Sequence, residues 1–451
     1  MSPFAKYLAD RSRYYYSENY KYDVWRTNYN PNSLVVKGAM RAENQTYTLM
    51  TCHDLWQFIS FPFDVKVSDI VPEDDRTQWV VRRYDGEARA AADWSADNNN
   101  TWVNLTADDV MEAGKGYIMK CYNNNYGQDY WGGGTPIVFT VTPVTESTSR
   151  QYLFASTDRK LPLAEYSSEF PQNRSWNLVG NPYPCYFDTR YMQYADMPAD
   201  YQDGTSFLIW NSWNGDYRAF NTVDDDYILN PGEAIFIQRP VEDGSELVFL
   251  KGGRQTYRNP DDLTVTESAR FRAPQAGRSV VNLVLSSGEQ NDQTRVVISE
   301  KASLKYEIGR DAAKMNAMNA ESMQLWSIGG RTNYAINERP EDDGVVELGM
   351  RLTADGIHTL SLGEKSAEGF YLEDRAMGTI TELTAEGYTF QAEAGTITGR
   401  FALRTASAVT GIANIAAQQQ ENGVQYNLNG QRVSSQQRGI VVKNGKKVFN
   451  K

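Results

Sequence analysis

Three stretches of the chain combine residue types that can do chemistry. Asp224-Asp225-Asp226 places three carboxylates in a row ahead of a strand-like segment. Ca²⁺ takes six to eight oxygen ligands, so such a triplet is a candidate cation site. No spaced Asp/Asn pattern with a central glycine surrounds it, and a solvated acidic turn is the plainer reading. Gly114-Lys115-Gly116 suggests a phosphate cradle but lacks the upstream glycine and the following Ser/Thr. The loop from Tyr122 to Gly134 mixes planar rings with amides: Tyr126, Tyr130 and Trp131 among Asn123, Asn124, Asn125 and Gln128. Sugars are held this way, their C–H faces on rings and their hydroxyls on amides. The competing reading is a hairpin tip whose aromatics fold back onto the protein. Tyr126, Tyr130 and Trp131 are therefore the candidate ligand-binding residues.

Catalysis has little material to draw on. The 451 residues include two histidines, His53 and His358, and three cysteines, Cys52, Cys121 and Cys185. That disfavours a His/Cys zinc site and Ser-His-Asp chemistry. No Gly-x-Ser-x-Gly elbow occurs. Carboxylate pairs for glycoside hydrolysis have a spatial spacing that sequence does not display. The expectation is a chain with no catalytic residues, no metal site and no cofactor. Cys52 and Cys121 are close enough along one module to meet, though buried thiols acting as small apolar groups are the simpler expectation.

The elements that must carry these groups read as β structure. Aromatics make up 12% of the chain, with Tyr supplying 28 residues, and Tyr favours half-buried strand surfaces. A repeat organises the first half. Trp56-Gln57-Phe58-Ile59-Ser60-Phe61-Pro62 is matched by Trp176-Asn177-Leu178-Val179-Gly180-Asn181-Pro182. Each copy continues with an aromatic-rich strand-like segment, Gln78 to Gly86 or Phe207 to Asn211, and closes on a glycine-led strand at Gly114 or Gly232. Trp and Gly are 58 residues apart in one copy and 56 in the other, so a duplicated module is expected. The prolines should end the first strand of each copy, since they cannot donate to a ladder. The Trp side chains should fill cores.

From residue 266 the pattern changes. Ser279–Leu285 and Gln293–Ile298 read as a hairpin, followed by glycine-punctuated strands at 344–352, 356–362, 369–373, 387–393 and 399–404, the spacing of a β-sandwich. Asp311 to Leu325, rich in Ala and Met, is the one candidate helix. The expected organisation is all-β: an N-terminal β segment (1–45), β-sandwich-like repeats (46–148 and 149–265), a third β-sandwich (266–405), a linker (406–423) and a small β tail (424–451) built on Asn-Gly hairpins.

The tail carries a resemblance. Tyr426-Asn427-Leu428-Asn429-Gly430-Gln431-Arg432-Val433, Gly439-Ile440-Val441-Val442 and Asn444-Gly445-Lys446-Lys447-Val448 resemble the C-terminal sorting tail of type IX secretion substrates of Bacteroidetes-type surface proteins. The likeness covers about the last 28 residues and rests on Gly430, Arg432, Gly439, Asn444, Gly445, Lys446 and Lys447. Trp176–Pro184, and Tyr388-Thr389-Phe390 with Gly395 and Arg400-Phe401-Ala402-Leu403, resemble segments common upstream of such tails. The resemblance implies a non-enzymatic exported region that spaces, adheres or binds. Its partners would be the secretion and sorting machinery, with a glycan or a host surface protein as possible ligands. The alternative is the accessory glycan-binding region of a secreted carbohydrate-active enzyme.

Charge agrees with that division. The chain is −12 overall, and residues 424–451 hold six basic side chains and no acidic ones, which leaves −18 on the rest. An acidic body repels phosphate backbones, so nucleic acid is not an expected partner. No run of 18 apolar residues predicts a transmembrane helix. The first ten residues lack the apolar core of an export signal, so an extracellular or outer-surface location implies a signal upstream of Met1.

Overall fold

Both faces of the strands that begin at Trp176 and Ala234 are apolar. Such strands must be covered on two sides, and the fold of this chain follows from how they are covered. The computed structural model describes residues 35–37, 46–51, 54–92, 101–123, 137–144, 157–183, 186–195, 204–212, 215–230, 232–240, 246–255, 277–288, 290–316 and 322–409; in the tail it describes 425–427, 432–433, 438–443 and 446–450. Among these residues the protein is all-β.

The duplication holds strand by strand. In the first module a four-stranded antiparallel sheet runs Gln57–Ser60, Gly116–Tyr122, Gln78–Tyr84, Trp102–Asn104. In the second the order is Trp176–Gly180, Ala234–Gln238, Ser206–Asn211, Asp216–Asn221. The register is the same: Ser60 faces Gly116 as Gly180 faces Ala234. A second sheet covers each. Ile137–Val141 lies between Thr46–Thr51 and Ile70–Pro72, as Glu246–Phe249 lies between Arg159–Pro162 and Met192–Tyr194. Even the single 3-10 turn before the last of these strands recurs, at Val67–Asp69 and Thr189–Tyr191. Pro62 and Pro182 fall just past the first strands, where a missing N–H costs no ladder bond.

Alternation divides each repeated sheet between two cores. Ile59, Val81 and Met119 face the core of the first module, and Val179, Phe207, Ile235 and Ile237 face that of the second. The opposite faces, Phe58 and Ile118 from one copy and Trp176, Leu178, Trp210 and Phe236 from the other, meet in a shared core. Phe58 sits edge-on to Phe236 at 5.4 Å. The two copies hydrogen-bond reciprocally: Ser60 N donates to Gly232 O at 2.9 Å and Gly180 N to Gly114 O at 2.8 Å. Ser60 and Gly180 are equivalent positions, as are Gly114 and Gly232, so the contact has local two-fold symmetry. Gly114 and Gly232 hold φ of 75° and 74°, a region that side chains disfavour.

The third region is one eleven-stranded sheet running from Thr379–Glu382 at one edge to Tyr388–Ala392 at the other. It curls about a single core containing Leu283, Val296, Leu348, Leu360, Leu372, Phe390 and Phe401. The two layers expected of a sandwich therefore belong to one rolled sheet. Arg278–Ser287 and Gln290–Ser299 form its long hairpin around Gly288, and Gln290–Ser299 pairs in parallel with Thr332–Arg339. The crossover between that parallel pair includes Asp311 to Leu325, and here the expected helix is corrected. Ala312–Ala313 form a short strand against Thr332–Arg339, and Gln324–Gly329 is a longer one. Small Ala side chains fit where the crossover presses into the shared core beside Met315 and Ile336, and tertiary burial overrides their helix propensity.

One short helix, Gly86–Ala91, follows the strand Gln78–Tyr84 and is capped by Asp85, which accepts from Ala88 N at 3.0 Å. Residues 406–409 are helical, and the rest of the expected linker lies outside the described residues, as do the Tyr-rich N-terminus and Cys52. Cys121 is buried in the first module's core. The tail forms a four-stranded sheet in the order Arg432–Val433, Gln425–Tyr426, Gly439–Lys443, Lys446–Asn450.

Candidate functional site

The aromatic loop bearing Tyr126, Tyr130 and Trp131 lies outside the described residues. Its entry is anchored, because Asn123 is buried and donates through Nδ2 to Thr77 Oγ1 at 3.0 Å. In the tail, Gly430, Asn444 and Gly445 are likewise outside the description, while Arg432, Gly439, Lys446 and Lys447 lie on strands. Ile440 pairs with Phe449 across the last hairpin, and both are exposed, at 50% and 67%, whereas Val441 is buried. One face of this hairpin thus offers an apolar cross-strand pair beside a cationic strand.

The acidic triplet is neither a solvated turn nor a cation site. Asp224 and Asp225 meet two arginines from the rolled sheet. Arg278 forks onto Asp224, with Nη2 at 2.9 Å from Oδ2, and reaches Glu338 at 3.0 Å. Arg295 holds Asp225 through two bonds of 2.7 Å and donates to Asn282 Oδ1 at 2.7 Å. Burial alone would drag Arg278 down, but the Asp224 bonds and the fields of Asp224 and Glu338 outweigh it and hold the guanidinium above its ordinary value. Planar forks on carboxylates give geometric specificity, so this network clamps the second module to the sheet. Asp226 pairs only at the exposed rim, with Lys365 at 2.7 Å. Sequence reasoning missed Arg278 and Arg295. The available signal was a charged residue next to apolar strand runs, at Arg278-Ser279-Val280-Val281 and Arg295-Val296-Val297-Ile298.

Beside the clamp opens a cleft of about 660 Å³ between the second module and the sheet. Phe220, Val223, Val284 and Leu362 supply apolar wall, and Gln293 and Glu364 supply polar groups. The residues lining it include no Ser, Thr, Cys, His or Tyr. Its arginines are already paired, so the cleft presents an apolar wall beside carboxylates and amides. Among the described residues no cluster of three or more His, Cys, Asp or Glu is placed to hold a metal ion.

The segments that carry the upstream resemblance are structural. Asn181 ties the turn after Trp176–Gly180, donating to Asn230 O at 3.1 Å and accepting from Tyr183 N at 3.0 Å. The buried Tyr183 hydroxyl donates to Phe249 O at 2.9 Å, and burial pushes it up to about 12. Near the end of the sheet, Arg400 lies over the Phe390 and Phe401 rings and forks onto Asp374 at 3.0 and 2.8 Å, while the Tyr388 hydroxyl meets the same carboxylate at 3.1 Å. That Asp374 cluster joins the Tyr388–Ala392 edge strand to strands near the opposite edge of the sheet.

Residues 188–405 match the family model of a domain of unknown function, DUF8693, which is less than half of the chain. The match takes in the acidic triplet, both clamp arginines, the cleft and the whole rolled sheet. No curated protein and no solved structure matches the chain.

Proposed function

We propose that this chain is the β-rich body of an exported cell-surface protein, a non-enzymatic array that spaces or presents binding surfaces, ending in a sorting tail. The observation that supports this reading most is the tail. It forms its own small sheet, is basic where the body is acidic, and exposes the Ile440–Phe449 pair in a form that a receptor can read as a strand edge or an apolar patch. The structural roles of Asp224, Asp225 and Arg400 agree with a spacing function. Deleting residues 424–451 in the native host is the test. Loss of surface display with retention of the body inside the cell is expected, and unchanged display would overturn the sorting role.

The composition of the aromatic loop favours glycan contact as the second reading. A glycan array probed with the wild-type chain and with Trp131→Ala should show binding that the substitution lowers about two- to tenfold, since a ring contact contributes about 0.5–1.5 kcal/mol. No binding by either protein would remove this reading.

A further inference from the structure

We propose that Lys314 and Asp292 are joined by an intramolecular isopeptide bond that the folded chain forms by itself, with Asp216 as the proton-transfer group. Lys314 Nζ lies 2.5 Å from Asp292 Oδ2, and their side chains are 3% and 0% exposed. The two residues come from different elements. Asp292 sits on the strand Gln290–Ser299, and Lys314 follows Ala312–Ala313, held in place by its own N–H on Asn333 O at 2.8 Å. Leu325 N also donates to Asp292 Oδ2 at 2.6 Å, so a backbone dipole is aimed at the oxygen that gains charge when the carboxyl carbon is attacked. Asp292 Oδ1 accepts no hydrogen bond.

The third group arrives from the second module. Asp216 is 1% exposed and neither of its oxygens accepts a well-formed hydrogen bond. Two residues on, Arg218 donates to Asn291 O at 2.6 Å and to Asn291 Oδ1 at 2.9 Å, which docks this strand beside Asp292. The nearest cation to Asp216 is Arg218 itself, at 3.5 Å. Burial, reinforced by the Asp292 charge, raises Asp216 to about 6 against the pull of Arg218, Lys314 and Asn211. Such a carboxyl exchanges protons readily near neutral pH. A buried ion pair is costly to desolvate, and condensation removes the Lys314 and Asp292 charges together.

The step balances without an oxidant or co-reactant. Carrying one proton from Lys314 Nζ to Asp292 Oδ1 by way of Asp216 gives a neutral amine and a neutral acid whose hydroxyl is Oδ1. Nζ then attacks Asp292 Cγ, forming the C–N bond as the Cγ–Oδ1 bond breaks. Asp216 takes the proton that leaves nitrogen and delivers it to the departing hydroxyl, so the products are an amide and one water. The link would fasten the strand Gln290–Ser299 to the crossover that follows it. It does not depend on the sorting reading, and neither outcome below bears on surface display.

Intact mass of the purified chain, followed by peptide mapping, tests the proposal. The wild-type chain should be lighter than its sequence by one water, and trypsin should release a branched peptide joining 279–295 to 311–331, uncut at Lys314. Lys314→Ala should show the full mass. Asp216→Ala, which keeps both partners, should also show the full mass, and loss of water in that variant would overturn the role given to Asp216. Asp292→Asn should reach the same final mass as wild type by losing ammonia. A folded wild-type chain at full mass, with two separate peptides, would overturn the bond and leave a buried ion pair. The wild-type measurement decides this even if a variant fails to fold.

Discussion

His358 is 2% exposed, lies 5.6 Å from Phe390 with the rings tilted, and shares its strand with one other buried side chain, the apolar Leu360. Burial holds its imidazole below the ordinary value, against a smaller pull from the Ala354 backbone. The sign of the consequence follows. The unfolded chain takes up this proton near pH 6.5, while the folded chain resists until lower pH. His358 therefore costs no stability above about pH 6.5 and progressively more as pH falls towards the folded value. His358→Gln keeps a neutral polar group at all pH. Its melting temperature relative to wild type should rise as pH is lowered from 7.5 to 5. A difference that stays flat with pH would show that burial does not depress this group.

The repeated sheets make a sharper prediction at the level of elements. A side chain at Gly180 would put its Cβ 2.1 Å from Ser60 Cβ, so Gly180→Ser should destabilise by about 1–3 kcal/mol through overpacking. Ser60 Oγ now donates to Glu233 O at 3.0 Å. The equivalent acceptor across the local two-fold is Lys115 O, which lies 3.3 Å from a Cβ at position 180. The double change Ser60→Gly with Gly180→Ser swaps the two sides of the contact and should recover most of the loss. Chemical denaturation of the four proteins of the cycle measures that coupling, and additive losses would mean the symmetry is not energetic. The Trp-to-Pro and Trp-to-Gly spacings revealed this duplication because each marks a strand end that geometry enforces. The crossover misled for the opposite reason: Ala312 and Ala313 have helical propensity, and only the core above them makes them a strand. The clamp was hidden too, since Arg278 and Arg295 find Asp224 and Asp225 across 54 and 70 residues, a pairing with no local trace. The cleft, a product of that pairing, was equally illegible.

Across the whole molecule, the shared core decides what can fold alone. Phe58 and Ile118 of the first module, Trp176 and Phe236 of the second, and Ala312 and Ile336 of the crossover pack in one cluster. The matched region begins at residue 188, which cuts the second module between Trp176–Gly180 and its partner strand Ala234–Gln238. A fragment of residues 188–405 would therefore expose the ladder edge of Ala234–Gln238 and one side of the shared core. Unpaired edges and bare aromatic surface favour association over folding. The fragment is expected to bind hydrophobic dye and to lack a cooperative thermal transition, whereas residues 46–409 should unfold in one transition seen alike by near-ultraviolet and far-ultraviolet circular dichroism. Two well-separated transitions in the longer fragment would mean that the modules are independent and that the shared core couples them only weakly. A single one would make the two repeats and the rolled sheet one cooperative body.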